Sequence, residues 1–392
     1  MTDDELGLFD GHTERDGRSR GRTVKLAVFG LLVVLLIGAG VWYGWRQLSG
    51  IGGYDDFTGP GERDVVIEVK GGDSTGAIAG TLAEQGVVAS SRAFVAAAEN
   101  DSRVRAVQPG FYVMRTKISG QDAVTRIVDP ESRVGNLQIK PGTQLDDIKK
   151  GDGSVTPGIV SLLSSASCAE LDGKSTCVPV EQLRKVAATA DLASLGVPEW
   201  ALADAGKADP ARRLEGLIAP SVYDVKPGST AEELWKKVVT DSSALLQSYG
   251  MPTIADASGF TPYQFLTMAS LVQREAIEKD FGKVARVIYN RLKIGMELAF
   301  DSTVNYVLDR PNIATSDKDR NKAGPYNTYK NTGLTPTPIS APSKEALAAV
   351  AEPTPGNWKF FVLCQKDGTS CFADTYEKHL ENRQIAKQNG AF

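Results

Sequence analysis

The sequence predicts an α+β fold, and three features lead to that prediction. A short strand, a Lys-x-Gly turn and an amphipathic helix follow one another near residues 65, 137 and 222, at irregular spacing. A helix with clear start signals covers 261–279, and a hairpin of two apolar strands lies near the C-terminus. The irregular spacing indicates reuse of a motif and not a solenoid. With 392 residues, of which 42% are apolar, the chain can bury a core divided over two or three domains.

The N-terminal part of the chain has the pattern of a membrane anchor. Residues 1–23 are polar and poor in apolar side chains, which predicts a disordered cytoplasmic tail. Leu26 to Trp45 is a run of 20 residues without a charge. A helix of that length spans about 30 Å, the thickness of a bilayer core. We therefore predict a single transmembrane helix at 24–45 and a linker at 46–61.

The charges around this run predict its orientation in the cell membrane. Basic residues precede it, aromatic residues form an interfacial belt at its far end, and acidic residues follow: Arg15, Arg18, Arg20, Arg22, Lys25, Trp42, Tyr43, Trp45, Asp55, Asp56 and Glu62. The positive-inside rule then places the tail in the cytoplasm and everything after about residue 46 outside. A cleaved signal peptide is the alternative, but the run is long for one and no good A-x-A site follows it.

Residues 62–130 are predicted to form a small domain of their own. A strand from Val65 to Val69 alternates in polarity, turns at Gly71-Gly72, and is followed by a helix from Ser74. This segment resembles the LysM carbohydrate-binding module, whose βααβ unit holds polymers of N-acetylglucosamine. The resemblance implies glycan binding. The alternative is a spacer that lifts the rest of the chain away from the membrane.

The four cysteines are predicted to form two local disulfides. Cys364 and Cys371 flank Asp367-Gly368, and counting outward from a two-residue turn there puts the two cysteines directly opposite one another. Cys168 and Cys177 bracket a second Asp-Gly in a surface loop. A zinc site made of all four thiolates is the alternative, but it lacks the tight C-x2-C pairs of such sites. Disulfides would fit an oxidising compartment.

Composition narrows the classes of function. The only histidines are His12 and His379, which excludes a histidine-rich metal site and leaves a Ser-His-Asp triad dependent on His379. A formal net charge of −4 gives no electrostatic reason for a nucleic-acid partner. We therefore predict no metal site, no cofactor and no nucleic acid.

The segment 261–279 is predicted to be a helix with a well-defined start. Thr261 can cap the N-terminus, Pro262 occupies the first helical position, and Gln264 completes a capping box. An apolar stripe follows at helical spacing and ends in a carboxylate: Phe265, Met268, Val272 and Glu275.

Glu275 is the residue of this helix that needs a chemical explanation. A carboxyl group on a buried face is either paired with a cation or has its pKa raised by desolvation. A raised pKa suits a general acid near neutral pH. The alternative is an ion pair with Lys279 or Arg274 on a solvated edge. Periodicity alone does not decide between these two interpretations.

Five segments, taken in order, are similar to the motifs of one family. They are LEGLIAPSVY, ASLVQREA, VIYNRLKIGMELAFDSTVNYVL, YNTYKNTGLTPTPISAPSKEALAAV and FFVL…FADTYEKH. Together they resemble the endolytic murein transglycosylases of the MltG (YceG-like) family over about residues 62–385. The resemblance implies a single-pass membrane protein with a LysM-like subdomain and a catalytic domain, placed here at 131–392. It also implies cleavage of nascent peptidoglycan strands by one catalytic Glu, which falls on Glu275.

The chain departs from the family pattern in three motifs. Where many members carry a further Glu, this chain has Gln273, so Glu275 carries the acid/base assignment alone. The usual L-P-P-G-P-I is LTPTPI at 334–339, and the usual D-P-T-V is Asp301-Ser302-Thr303-Val304. Because the acidic residue, the Thr and most turn prolines remain, we expect altered loop detail and retained activity.

The resemblance implies a reaction that needs one carboxyl group. Glu275 would protonate the glycosidic oxygen between N-acetylmuramic acid and N-acetylglucosamine. It would then deprotonate the muramyl C6 hydroxyl, which closes a 1,6-anhydro ring, so that proximity replaces a second catalytic residue. Asp301, Asn327 and Tyr329 lie in family motifs, and we place them in the cleft as ligands of the sugars. Their alternatives are a helix cap for Asp301 and turn chemistry for the other two.

The predicted function is that of a membrane-anchored lytic transglycosylase that terminates glycan elongation. Its expected partners are peptidoglycan strands, the membrane and, as candidates, peptidoglycan synthases. One alternative is a muramidase that hydrolyses the bond with Asp301 as second carboxylate. The other is a scaffold that binds peptidoglycan without cleaving it.

Overall fold

The computed structural model describes residues 38–40, 53–308 and 316–391. Contacts divide the chain into two units, Met1–Asp55 and Asp56–Phe392. In the first unit residues 38–40 are helical. The predicted tail, most of the predicted transmembrane helix and the first part of the predicted linker, 46–52, lie outside the described residues. Within the described ranges, no helix combines the length and the apolar character needed to cross a bilayer.

Residues 64–134 form a three-stranded antiparallel sheet with helices on its connections. The strands, in the order β1–β2–β3, and the helices are β1 (Asp64–Val69), α1 (Thr75–Glu84), α2 (Ser91–Ala98), β2 (Gly110–Arg115), α3 (Gly120–Ile127) and β3 (Arg133–Val134). The first helix begins where its sequence predicted, because the Ser74 hydroxyl accepts a hydrogen bond from the N–H of Ala77 at 3.2 Å. This part has an apolar cluster of its own, which includes Ile67, Leu82 and Phe94. The β1-α1-α2-β2 order is that of a βααβ unit, while the LysM resemblance and its glycan binding stay predictions.

Residues 136–391 form a mixed arrangement of helices and short two-stranded sheets. The strands are β4 (Asn136–Ile139), β5 (Ile148–Lys149), β6 (Val155–Thr156), β7 (Glu170–Leu171), β8 (Lys174–Ser175), β9 (Ser221–Asp224), β10 (Phe360–Leu363) and β11 (Ser370–Ala373). The helices are α4 (Ile159–Ala166), α5 (Val180–Thr189), α6 (Glu199–Lys207), α7 (Ala231–Ser248), α8 (Pro262–Glu275), α9 (Phe281–Lys293), α10 (Asp301–Asn305), α11 (Asp317–Arg320), α12 (Lys344–Ala351) and α13 (Tyr376–Gln388). Strands β4 and β9 pair antiparallel, with Leu137 opposite Tyr223. The α+β class is confirmed.

The three predicted strand-turn-helix segments have different outcomes. The first and third form, and α7 starts with a capping box between Thr230 and Glu233. The helix predicted after the second turn, at 143–148, is wrong. Distant groups take its backbone hydrogen bonds: the N–H of Leu145 donates to the Glu215 carboxylate, and the carbonyls of Gln144 and Leu145 accept from residues that begin α4.

Helix α8 runs through the main apolar core. Its capping box forms as predicted, with Thr261 accepting from the N–H of Gln264 at 3.2 Å. Residues 265–272 are buried on every side and not along one stripe, because α6, α9, α10 and α12 all pack against this helix. The helix ends at Glu275 and not at Lys279, since Ala276 adopts an extended backbone. Glu275 is thus the last residue of the helix.

Both cysteine pairs are disulfides in the structure, Cys168–Cys177 and Cys364–Cys371, with Cα atoms 4.1 and 5.4 Å apart. The predicted register of the second hairpin is wrong. Its strands pair Val362 with Cys371, so the turn contains the four residues 365–368. The Asp367 carboxylate accepts from the N–H and hydroxyl of Thr369 at 2.9 and 2.6 Å, which draws the aspartate into a longer turn.

Candidate active site

Glu275 is half-buried at the end of α8 and faces the start of α10. The backbone N–H of Ser302 donates to its Oε1 at 3.3 Å. Burial raises the pKa of Glu275 to about 7. Hydrogen bonding by Ser302 and the charge of Arg274 oppose that rise, while the negative charge of Asp301 adds to it. The carboxyl group therefore exchanges its proton near neutral pH.

Lys279 and Arg274, the two candidates for a surface ion pair with Glu275, have other partners. Lys279 pairs with Asp367 at 3.0 Å on the solvent side of the molecule. Arg274 donates from Nη1 to the carbonyl of Gly142 at 3.3 Å, although its charge still acts on Glu275. These contacts favour the buried-acid interpretation of Glu275.

Asp301 lies beside Glu275 but is engaged by two other side chains. Nε and Nη2 of Arg320 donate to its two carboxylate oxygens at 3.0 and 2.9 Å. The Tyr329 hydroxyl donates to Oδ1 at 2.6 Å. The guanidinium of Arg320 also lies 5.2 Å from the centre of the Tyr329 ring. Asp301 is not the cap of α10, because Phe300 occupies that position.

Asn327 is buried and holds a loop together. Its Nδ2 donates to the carbonyls of Arg320 and Lys322 at 2.9 and 2.7 Å. Its Oδ1 accepts from the N–H of Tyr329 at 2.9 Å. The side chain thus stabilises a turn, which was the alternative role in the sequence analysis. It also positions Arg320 and Tyr329, the two residues that bind Asp301.

Arg291 is a residue near the site that the sequence analysis did not identify. Its guanidinium donates to the carbonyls of Lys359 and Leu298, and so fixes the chain that leads into α10. Burial lowers the pKa of Arg291 to about 10, and the charge of Glu275 opposes that change. The signal in the sequence was its position on the apolar face of α9, seven residues after Val284 and three after Ile288.

Glu215 is a second buried carboxyl group that the sequence analysis left without a role. Only 1% of the residue is exposed. Its oxygens accept from the N–H of Leu145 at 3.2 and 3.1 Å, and Oε2 accepts from the Tyr306 hydroxyl at 2.9 Å. Burial raises the pKa of Glu215 to about 7, and these hydrogen bonds and Arg212 oppose the rise. The signal in the sequence was the Glu-Gly of LEGLIAPSVY.

A cavity of about 420 Å³ borders α8 at the end opposite to Glu275. Tyr263, Gln264 and Thr267 line it on the helix side, and residues 333–336 close another side. Tyr263 and Glu275 are twelve positions apart, so about 18 Å of helix separates them. The cavity and the carboxyl site are therefore separate features. Among the described residues, no group of three or more His, Cys, Asp or Glu side chains could hold a metal ion.

Fold and site together define an α+β protein with a carboxyl centre suited to proton transfer. The model of the YceG-like family matches residues 67–385. The chain belongs to the YceG-like family.

Similar proteins include enzymes of known name. The endolytic murein transglycosylase of Bacillus subtilis (strain 168) is 27% identical over 364 residues, which cover 91% of this chain and 92% of that protein. The endolytic murein transglycosylase of Streptococcus pneumoniae serotype 2 (strain D39 / NCTC 7466) is 27% identical over 376 residues, 92% of this chain but 65% of the longer relative. A crystal structure of a YceG-like protein from Listeria monocytogenes matches with a TM-score of 0.54 at 24% identity, covering 82% of this chain and 99% of that one. This last likeness concerns the fold.

Proposed function

We propose that this protein is a lytic transglycosylase that cleaves the β-1,4 bond between N-acetylmuramic acid and N-acetylglucosamine in peptidoglycan. Relatives that match more than nine-tenths of the chain carry the name endolytic murein transglycosylase. Glu275 supplies the acid/base group, because its pKa of about 7 allows it to give and take a proton at neutral pH.

The observation that carries the proposal is the state of Asp301. A hydrolase generally needs a second carboxylate to activate water or to attack the sugar. The Asp301 carboxylate is held by Arg320 on both oxygens and by Tyr329 on one. A carboxylate paired in this way is a weak base and a weak nucleophile. Glu275, which accepts a hydrogen bond from Ser302, then acts as the acid/base group of the site, and a single such group suits a reaction whose nucleophile belongs to the substrate.

The reaction then balances without water. Protonated Glu275 gives its proton to the glycosidic oxygen, the C1–O bond of N-acetylmuramic acid breaks, and the N-acetylglucosamine side leaves with a free 4-hydroxyl. The ionised Glu275 takes the proton of the muramyl C6 hydroxyl as that oxygen bonds to C1. The product end is a 1,6-anhydro ring, and Glu275 is protonated again. Intramolecular attack gains the advantage of proximity.

The neighbouring residues have supporting roles in this proposal. Asp301 keeps a negative charge near Glu275, which favours the protonated acid before the first step and the positive charge that develops on the sugar. Arg320 and Tyr329 fix Asp301 and expose part of their side chains, so they can contact sugar hydroxyl or N-acetyl groups. We assign Asn327 to the loop that carries them.

We further propose that the enzyme acts at the membrane surface on nascent strands. The uncharged run at 26–45 would anchor it, with the catalytic part on the extracytoplasmic side. Cuts within new strands would end their elongation and would place peptidoglycan synthases among the partners. Protease added to intact spheroplasts should digest the catalytic part, whereas protection of that part would contradict this orientation.

Product analysis tests the reaction. Purified protein is incubated with un-cross-linked glycan strands in heavy-oxygen water, and new ends are measured by mass spectrometry. We expect 1,6-anhydro-N-acetylmuramic acid, without incorporated label, at cuts within strands. New reducing ends that carry heavy oxygen would show a muramidase, with Asp301 as the candidate for its second carboxylate. No new ends from folded protein would favour the scaffold. The Glu275→Gln variant serves as the matched inactive control.

A further inference from the structure

Glu215 is buried in a position from which it cannot contact a sugar. It is 1% exposed, and both carboxylate oxygens have protein partners. The N–H of Leu145 and the hydroxyl of Tyr306 come from segments 70 and 91 residues away. The hydrogen bonds of Glu215 therefore connect it to these two segments, while its charge also acts on Arg274 beside Glu275.

Tyr306 connects Glu215 to the catalytic carboxyl group. It follows α10 directly, and its N–H donates to the carbonyl of Ser302 at 2.9 Å, which closes the last turn of that helix. The N–H of the same Ser302 donates to Oε1 of Glu275 at 3.3 Å. The short segment 301–306 thus contacts one buried carboxyl group at each end.

The ring of Tyr306 is packed independently of its hydroxyl. The guanidinium of Arg212 lies 4.4 Å from the ring centre, and the ring of Tyr326 lies 5.0 Å away. The Tyr326 hydroxyl is in turn within 2.8 Å of Thr337 Oγ1. Removing only the Tyr306 hydroxyl therefore leaves the ring in a filled site, while it takes away the hydrogen bond to Glu215 and the interaction of the hydroxyl with Arg212.

We propose that Glu215 is a positioning residue, which fixes the orientation of α10 through the Tyr306 hydroxyl and thereby holds Ser302 against Glu275. The inference rests on the function proposed above for Glu275. Helix α10 has five residues and little intrinsic stability, so its orientation depends on such tertiary bonds. Without the tether, the donor that stabilises ionised Glu275 is lost or lengthened.

Other charged or titratable groups also act on Glu275 from the elements packed around it. They are Asp301 on α10, Arg274 on α8, Arg291 on α9 and Tyr329 in the following loop. Tyr306→Phe keeps all four side chains, but a reorientation of α10 would move Asp301 together with Ser302. Moving Asp301 away would lower the pKa of Glu275, whereas losing the Ser302 donor would raise it, so a displacement of the alkaline limb to higher pH reports on the contact between Ser302 and Glu275.

The test compares Tyr306→Phe with Tyr289→Phe in the purified protein. Tyr289 is a matched control, because its hydroxyl donates to the carbonyl of Val350 at 3.0 Å, away from both carboxyl groups. For Tyr306→Phe we expect kcat to fall roughly tenfold, KM to change less than about twofold, and the alkaline limb of the kcat profile to move to higher pH. Glu215→Gln keeps one oxygen for the two donors, Leu145 and Tyr306, so its changes in kcat and pH profile should have the same direction and be smaller.

Hydrogen–deuterium exchange gives a measurement that does not need catalysis. Amides of 301–306 should exchange several times faster in Tyr306→Phe than in wild type, with no such change in Tyr289→Phe. If wild type makes no new glycan ends, the proposed function fails, yet exchange still tests the tether. If the amides of 301–306 in Tyr306→Phe exchange at the wild-type rate, the inference is wrong. A loss of kcat without displacement of the pH limb would also overturn it.

Discussion

The backbone N–H of Ser302 lies 3.3 Å from Oε1 of Glu275 and donates to it. This contact works against burial, which raises the pKa of Glu275 to about 7. A donor bound to the ionised form lowers the pKa, and desolvation raises it. The balance leaves a carboxyl group whose pKa lies near neutral pH, which suits a residue that must act as acid and then as base.

The first prediction concerns the pH dependence of the reaction. Because the first step needs protonated Glu275, kcat should fall as the pH rises above about 7, with the slope of a single proton. Initial rates on glycan strands between pH 5 and 9 give the profile, with substrate binding measured at each pH as the control. A rate that rises between pH 7 and 9 would contradict the role of Glu275 as acid.

Ser302→Pro should move that profile to higher pH. Residue 302 lies in the first turn of α10, where proline is tolerated, and proline has neither the N–H nor the hydroxyl of serine. Loss of the N–H that donates to Glu275 raises the pKa of Glu275 further, so the alkaline limb should shift to higher pH. Ser302→Ala keeps the N–H and should shift it less. Equal profiles for wild type and Ser302→Pro would show that the contact does not tune the acid.

Changes at Asp301 and Arg320 should displace the profile in opposite directions. Asp301→Asn removes a negative charge that raises the pKa of Glu275, so the alkaline limb should move to lower pH. Arg320→Met leaves that charge without its two bonds from the guanidinium and should move the limb to higher pH. The dependence of kcat on pH, measured side by side for both variants and wild type, tests this prediction. A shift of both variants in one direction would refute the assigned charges.

The C-terminal disulfide should make a small contribution to stability. Cys364 and Cys371 are seven positions apart, so the loop they close restricts the unfolded chain little. The double variant with serine at both positions should lose about 2 kcal/mol or less of unfolding free energy in urea. Non-reducing peptide mapping of protein from its native compartment checks the bond itself. Two free thiols there would refute the predicted pairing.

Local signals in the sequence were sufficient where the structure depends on neighbours along the chain. The cap of α8 needs only Thr261 and Gln264, three positions apart, and it forms as predicted. The failure after Gly142 involves a distant partner. The expected helix after Gly142 gives way because Leu145 bonds to Glu215, 70 residues later. Periodicity has no access to such contacts, so sequence patterns indicated Glu275 but not the chemistry of Glu215.

The register error in the C-terminal hairpin has a local cause. An Asp-Gly pair between apolar runs favours a two-residue turn. In the structure the Asp367 side chain binds Thr369, and the turn widens to four residues. The Asp367 side chain, by accepting from a backbone N–H, thus favours the four-residue turn over the two-residue turn.

Glu275→Gln should abolish cleavage and leave a folded protein that gains stability over wild type as the pH rises. Gln keeps an oxygen that can accept from Ser302 but has no proton to give, so kcat should fall about a thousandfold or more. In wild type the folded pKa of about 7 lies above the unfolded value of 4.5. The folded state therefore binds the proton more tightly, and stability falls as the pH rises between these two values.

The Glu275→Gln variant does not lose this stability as the pH rises. The contribution of Glu215 to the pH dependence is common to both proteins and cancels in the comparison. Between pH 5 and pH 8, the unfolding free energy of wild type should therefore fall by about 1–3 kcal/mol more than that of the glutamine variant. Urea titrations of both proteins at the two pH values measure this difference directly. A folded variant with substantial turnover would remove Glu275 from catalysis. A stability difference independent of pH would show that Glu275 is ionised in the fold.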